Sequence, residues 1–220
     1  MSFTVPAGQI VPVLGANGTG KTTLLKILCG LITPTRGSVA IADCDMLRRP
    51  TAARAHIGVS LYPERSFYFR LTCAQNLRYY ASLRNLFGVR AKQETARLLD
   101  LVGLADHAGT QFMRLSLGQR KRLGLARALL GSPLLLLLNE PTANLDSENV
   151  TRFHRIITDY ARSDGSVLFS THCEGNVAKA TEQFLHIENG TVLSTPCPAT
   201  PDTNVPTHSP GQRADLQETR

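Results

Sequence analysis

No stretch of the 220 residues approaches the roughly twenty consecutive apolar residues that a membrane-spanning helix needs. The leucine run Leu134–Leu138 is long enough only for a buried strand. The opening MSFTVPAG has neither a basic region nor a long apolar segment, so no secretory signal is expected. No two cysteines form a C-x-x-C pair. Cys29, Cys44, Cys73, Cys173 and Cys197 are scattered and odd in number, which points to reduced thiols in a cytosolic protein rather than a disulfide framework or a metal site. No internal repeat is evident. The net charge of +7 comes with arginine clusters at Arg48–Arg49, Arg65–Arg70 and Arg78–Arg97, but no nucleic-acid motif interleaves them. Such a basic face suits an anionic membrane surface or a solvated exterior, and no nucleic-acid partner is expected. The length fits one large domain, or one domain with a subdomain.

What is present is concentrated in Gly15–Thr23, GANGTGKTT, between the apolar run Ile10–Leu14 and a leucine-rich segment. It matches G-x-x-x-x-G-K-[ST], the loop that wraps nucleotide phosphates. Gly15, Gly18 and Gly20 allow backbone angles that other residues resist, so successive N–H groups of Gly15, Ala16, Asn17, Gly18, Thr19 and Gly20 turn inward toward phosphate oxygens. Lys21 brings a compact positive charge to the β and γ phosphates, and the Thr22 hydroxyl is placed to ligate Mg²⁺. The helix opened by Lys21, Thr22 and Thr23 aims its positive end at the same anion.

Along the chain, Ser2–Val5 and Gln9–Leu14 read as short β segments joined at Pro6-Ala7-Gly8. After the loop and its helix, Ser38–Ala42 alternates like a strand, Thr51–His56 suggests a short helix, and Ile57–Leu61 a strand. Leu71–Leu86 turns helical with Thr72 as N-cap, a second helix spans Ala91–Val102 with Gly103 as its stop, and a third follows Ser116. Three successive helices predict a helical subdomain, about 71–132, inserted into an α/β core. Leu134–Leu138 does not alternate, as expected for a strand covered on both faces of a parallel sheet. Val150–Ala161 reads as helix, Ser166–Ser170 as strand, and Gln183–Ile187 with Gly190–Ser194 as a hairpin turning at Asn189-Gly190. From 195 to 220 the composition shifts to Pro, Thr, Ser and Asp, which predicts disorder.

Three further stretches gain meaning with the loop: LSLGQ at Leu115–Gln119, LLLLLNEPTANLD at Leu134–Asp146, and STH at Ser170–His172. In order and spacing these resemble the ATP-binding subunits of ABC transporters across essentially residues 1–194. The resemblance implies a P-loop NTPase fold of class α/β, with a mostly parallel core sheet, a small antiparallel β subdomain that looks truncated at the N-terminus, and the inserted helical subdomain. It implies ATP and Mg²⁺ as cofactors. By resemblance, Glu140 polarises the attacking water, His172 is the switch histidine at the γ-phosphate, and Asn139 stands at the Mg²⁺ anchor beside Thr22. Ser116, Gly118 and Gln119 would bind the ATP held by the opposite subunit, and Asn144–Asp146 would link the two sites. The active unit would be a homodimer or a heterodimer of ATP-binding subunits, docked on a transmembrane permease at the cytoplasmic face of a membrane. The segment Ile57–Leu77 matches the region that faces the permease. Its aromatics Tyr62, Phe67, Tyr68 and Phe69 are open to two readings, partner-facing or core. The wording ERSFYFRLT is similar to subunits of the exporter branch.

The sequence also departs from the family pattern. The first strand and the aromatic residue that stacks on adenine have no counterpart before the loop, which suggests a truncated or mis-set start, or a loosely held adenine. Asn139 replaces Asp at the Mg²⁺ anchor, Leu117 the first of two signature glycines, and Tyr62 the Mg²⁺-contacting glutamine, with Glu64 nearby. Losses of this kind around a metal typically cost about ten- to a hundredfold. Three functions therefore stand: an ATPase subunit that powers transport, a hydrolysis-impaired nucleotide-binding subunit paired with a competent partner, and a soluble ABC ATPase acting on ribosomes or DNA. The last lacks the tandem domains or coiled-coil insertions it would need.

Overall fold

Leu135–Leu138 form a strand covered on both faces, as the unbroken run requires, whereas Leu134 stands before that strand and is half exposed. A computed structural model describes residues 2–62, 66–172, 181, 183–188 and 191–196. Among them, a six-stranded sheet is built from β1 (Ile10–Leu14), β4 (Ile57–Ser60), β5 (Leu135–Asn139), β6 (Ser166–Ser170), β7 (Gln183–Glu188) and β8 (Thr191–Pro196). Their order is β4-β5-β6-β1-β7-β8, with every pair parallel except the β7–β8 hairpin. Side chains alternate across the sheet. Leu136, Leu138, Val167 and Phe169 enter one core, and Leu135, Leu137 and Leu168 enter a second on the opposite face. Leu136, Leu137 and Leu138 are fully buried, each contributing about 1.5–3 kcal/mol. The first core is shared with α3 (Cys73–Ser82), α4 (Gly88–Leu101), α5 (Leu117–Leu129) and α6 (Ser147–Arg162). The second is closed by α1 (Lys21–Leu28), α2 (Pro50–Ala55) and the small antiparallel pair β2 (Ala40–Ile41) and β3 (Cys44–Asp45).

The cap signals place the helices as expected. Thr72 forms a capping box with Gln75, and Gly103 takes φ +67 after the end of α4. Gly58 on β4 leaves room for α5, since a Cβ there would lie 2.0 Å from the Ala128 carbonyl oxygen. Other expectations change: the strand at Ser38–Ala42 is confined to Ala40–Ile41. Ser2–Val5 is not a strand; Gln183 Nε2 donates to the Thr4 carbonyl and Ser166 Oγ to that of Pro6, while Phe3 and Val5 pack on the second core. Thr195 and Pro196, placed in the Pro/Thr-rich tail by composition, extend β8 by pairing with Phe184 and Gln183. The partner strand outweighs local composition there. The Asn189-Gly190 turn, Glu64 and residues 197–220 lie outside the described residues.

Candidate nucleotide site

At the carboxyl ends of β1, β5 and β6 the chain assembles the positions that crevice ligands use in α/β sheets. Gly15–Thr23 links β1 to α1. Gly15, Gly18 and Gly20 take φ values of +152, +84 and +103. A Cβ on Gly15 would meet the Ile187 carbonyl oxygen at 2.7 Å and Thr19 Oγ1 at 2.8 Å, whereas Cβ positions at Gly18 and Gly20 meet nothing within 4 Å. The loop is thus packed on its β7 side and open at its crest. Lys21 is only 6% exposed; its Nζ donates to the carbonyls of Gly15 at 2.6 Å and Ala16 at 2.9 Å. That holds the ammonium within the loop's curl.

A hydrogen-bonded chain then runs from the loop to the carboxylate. Thr22 Oγ1 donates to Asn139 Oδ1 at 2.9 Å, and Ser170 Oγ donates to the same oxygen at 2.9 Å. The Glu140 N–H reaches Ser170 Oγ and the Ser170 carbonyl, both at 3.1 Å. Glu140 takes φ +44, a left-handed conformation that a non-glycine residue holds only when its surroundings impose it. Its Oε1 lies 3.6 Å from His172 Nδ1, with the two side chains 32% and 56% exposed. Lys121 fixes the same turn from α5, donating from Nζ to the carbonyls of Glu140 at 2.9 Å and Ala143 at 2.6 Å. Thr22, Asn139, Glu140 and His172 are therefore brought together. Ser170 and Lys121 hold them, two residues to which the motifs alone assign no role. The STH triplet is the sequence signal for Ser170, and Lys121 has only its place in the basic triplet Arg120–Arg122.

The remaining residues lie outside that network. Ser116 caps α5 in a capping box: its Oγ accepts from Gln119 N at 3.2 Å, and its N–H donates to Gln119 Oε1 at 2.9 Å. Gln119 Nε2 lies 2.9 Å from His107 Nε2. Gly118 packs against Leu145, where a Cβ would come within 3.3 Å of Leu145 Cδ2. Asp146 caps α6, accepting from Asn149 N at 2.8 Å, a bond that holds its carboxyl below the usual range. Ser116 and Asp146 are exposed.

The aromatic segment divides. Phe67 is 5% exposed and stacks on Phe112 at 4.9 Å, with the Arg127 guanidinium over its ring. Tyr68 and Phe69 are 49% and 52% exposed, and Tyr62 carries Lys26 Nζ over its ring at 5.5 Å. Arg127 also donates to the Val59 and Ser66 carbonyls, tying α5 to β4 and to this segment. The segment thus supplies both core and surface.

As a cation site the donor set is oxygen only: the Thr22 hydroxyl, whose proton is directed to Asn139, and the Asn139 carboxamide. Those donors suit a hard cation held partly through water. They carry no formal charge, because Asn139 Oδ1 is neutral and already accepts two hydrogen bonds.

A parallel sheet with a glycine loop entering a helix, and a polar chain at the strand ends, defines a P-loop nucleotide-binding cassette. The sequence matches the ABC transporter family over residues 1–143, and the chain belongs to that family, among its ATP-binding proteins. It is 31% identical over 196 residues to the ABC transporter ATP-binding protein NatA of Bacillus subtilis (strain 168), covering 88% of this chain and 78% of that one. It is 41% identical over 172 residues to the cytochrome c biogenesis ATP-binding export protein CcmA of Xanthomonas campestris pv. campestris (strain 8004), covering 78% of each chain. Among solved structures, a dimeric bacterial ABC transporter cassette aligns with a TM-score of 0.81 at 25% identity, covering 90% of this chain and 89% of that one. A cassette described as a dimeric post-hydrolysis state bound to ADP and Pi aligns with a TM-score of 0.82 at 23% identity, with the same coverage.

Proposed function

We propose that this chain is the ATP-binding and ATP-hydrolysing subunit that powers an ABC membrane transporter, sandwiching two MgATP with a second ATP-binding subunit, identical or related. The observation that carries the reading is the chain Thr22–Asn139–Ser170–Glu140, which joins the phosphate-binding loop to a carboxylate and ends beside His172. In this reading Gly15 to Thr23 wrap the phosphates, with Lys21 turning its ammonium from loop carbonyls to phosphate oxygens. Thr22 and Asn139 would hold Mg²⁺, which would supply positive charge to offset that of the phosphates. Glu140 orients and polarises the attacking water, its strained backbone aiming the carboxylate, and His172 positions that carboxylate and the γ-phosphate.

Ser116, Gly118 and Gln119 stand at the N-terminal end of α5 and Asp146 at that of α6, with Ser116 and Asp146 exposed, as parts that complete a site in another subunit would be. Residues 1–194 then form the ATP-binding domain, carried by β8 to Pro196, with 71–132 as its helical subdomain. The exposed Tyr62, Tyr68 and Phe69 suit a docking face for a transmembrane permease, and the subunit lies peripherally at the cytoplasmic side of the membrane. Among the described residues no helix is long and apolar enough to cross a membrane. The relatives' names include an export protein and a phosphonates import protein, so the cargo and its direction stay with the permease.

A second reading, a hydrolysis-impaired subunit paired with a competent partner, is favoured by Asn139, which gives the cation no negative charge. Phosphate release from MgATP, measured on the wild type and Asn139→Asp, separates the two. A gain of about ten- to a hundredfold in Asn139→Asp marks a working site with weakened metal anchorage. No gain, with ATP still bound, marks the binding-only subunit. Failure of the wild type to bind ATP removes both.

A further inference from the structure

We infer that His107 is a positioning residue for the helix end carrying Ser116–Gln119, and that it does so as a neutral imidazole protonated on Nδ1. The inference rests on the reading of that helix end as part of a nucleotide site, but the bond pattern that assigns the proton stands without it. The Gln119 side chain has one acceptor and one donor atom. Its oxygen faces the Ser116 backbone N–H at 2.9 Å, and a backbone N–H can only donate. The amide nitrogen is therefore the atom directed at His107, and it donates to Nε2 at 2.9 Å. A ring nitrogen that accepts carries no proton, so the imidazole proton sits on Nδ1, on the side of Thr110 Oγ1 at 3.5 Å.

The base of this contact is fixed. Thr110 N donates to the His107 carbonyl, while the backbone N–H groups of Cys73 and Ala74 at the start of α3 donate to the carbonyls of Thr110 and Ala108. His107 therefore stands on a turn fastened to α3 and braces the first turn of α5. Protonation at Nε2 would bring two donors face to face at this distance. Gln119 could relieve the clash only by rotating its amide, and then its oxygen leaves Ser116 N and half of the capping box is lost.

The charged groups on the surrounding elements do not pre-empt it. The carboxylates of Asp106 on the same turn and Asp100 at the end of α4 form no ion pair with His107 among the described residues. On α5, Arg120 donates to the Met113 carbonyl and Arg122 to those of Val102 and Gly103. Arg78 on α3 turns back to the Ala74 carbonyl, and Arg114 on the following turn makes no ion pair with a described residue.

The test has two arms on the full chain. In the first, ¹⁵N-detected imidazole spectra at pH 8 without nucleotide report the tautomer of His107. A proton on Nδ1 is expected, and a proton on Nε2 overturns the proposal whatever the protein hydrolyses. In the second, MgATP hydrolysis is followed from pH 8 to pH 6 for the wild type and His107→Gln, whose carboxamide can accept from Gln119 but does not titrate. The ratio of variant to wild type should rise by about fivefold toward pH 6, the scale of a lost helix cap. A ratio independent of pH overturns the positioning role. Absence of hydrolysis in both proteins, with the Nδ1 tautomer present, counts against the proposed function and leaves the bonding assignment intact.

Discussion

Replacing Ser170 by alanine removes one hydroxyl and tests how the site holds its carboxylate. Ser170 is fully buried, and its Oγ both donates to Asn139 Oδ1 and accepts from Glu140 N. Neither partner is orphaned by the change: Asn139 Oδ1 keeps Thr22 Oγ1, and Glu140 N keeps the Ser170 carbonyl. The loss is then two net hydrogen bonds without a buried unsatisfied group, about 2 kcal/mol in all. For a chain of this size that lowers Tm by about 4–8 °C in a calorimetric scan. The functional loss should be selective. Glu140 sits at φ +44 because its neighbours impose it, so loosening its amide lets the carboxylate drift while Gly15–Thr23 keeps its glycine geometry. Phosphate release should fall about ten- to a hundredfold, with ATP affinity held within about threefold. A Tm shift of the expected size with an unchanged hydrolysis rate would refute the idea that Ser170 positions Glu140.

The same geometry sets other outcomes. Gly15→Ala pushes a Cβ against the Ile187 carbonyl and should weaken ATP binding about tenfold or more in a titration, besides costing about 1–3 kcal/mol. Burial holds His154 below its ordinary value of 6.5, so the unfolded chain takes the proton first. Its contribution to stability is present above that value and is lost as pH falls below it; the fall in Tm between pH 7.5 and 5.5 should shrink in His154→Gln. Burial pushes the Cys73 thiol up to about 11, so iodoacetamide mapping by mass spectrometry should find Cys73 unlabelled until the protein unfolds.

What was legible in the sequence was what is encoded locally. The glycine spacing of the loop, the leucines Leu135–Leu138 and the cap signals Thr72 and Gly103 each act within a few positions of themselves, and each took the expected place. The links that make the site act across the sheet instead. Thr22 meets Asn139 at a separation of 117 residues, and Ser170 meets it at 31, because β6 lies between β1 and β5. Nothing local to a serine at a strand end reveals that pairing. Phe67 illustrates the same limit. Its sequence context matches that of Tyr68 and Phe69, yet Phe112 and Arg127 from distant segments bury it alone. The two residues of β8 past Ser194 were hidden by tail-like composition and appear only because β7 pairs with them.

The central claim is that Glu140 drives hydrolysis of ATP held by Gly15–Thr23. Single-turnover hydrolysis by Glu140→Gln tests it most directly, since the substitution keeps the shape and removes the charge. The account predicts a loss of at least about a hundredfold, the scale of general-base catalysis, with ATP still bound. Hydrolysis at the wild-type rate in that variant would contradict it.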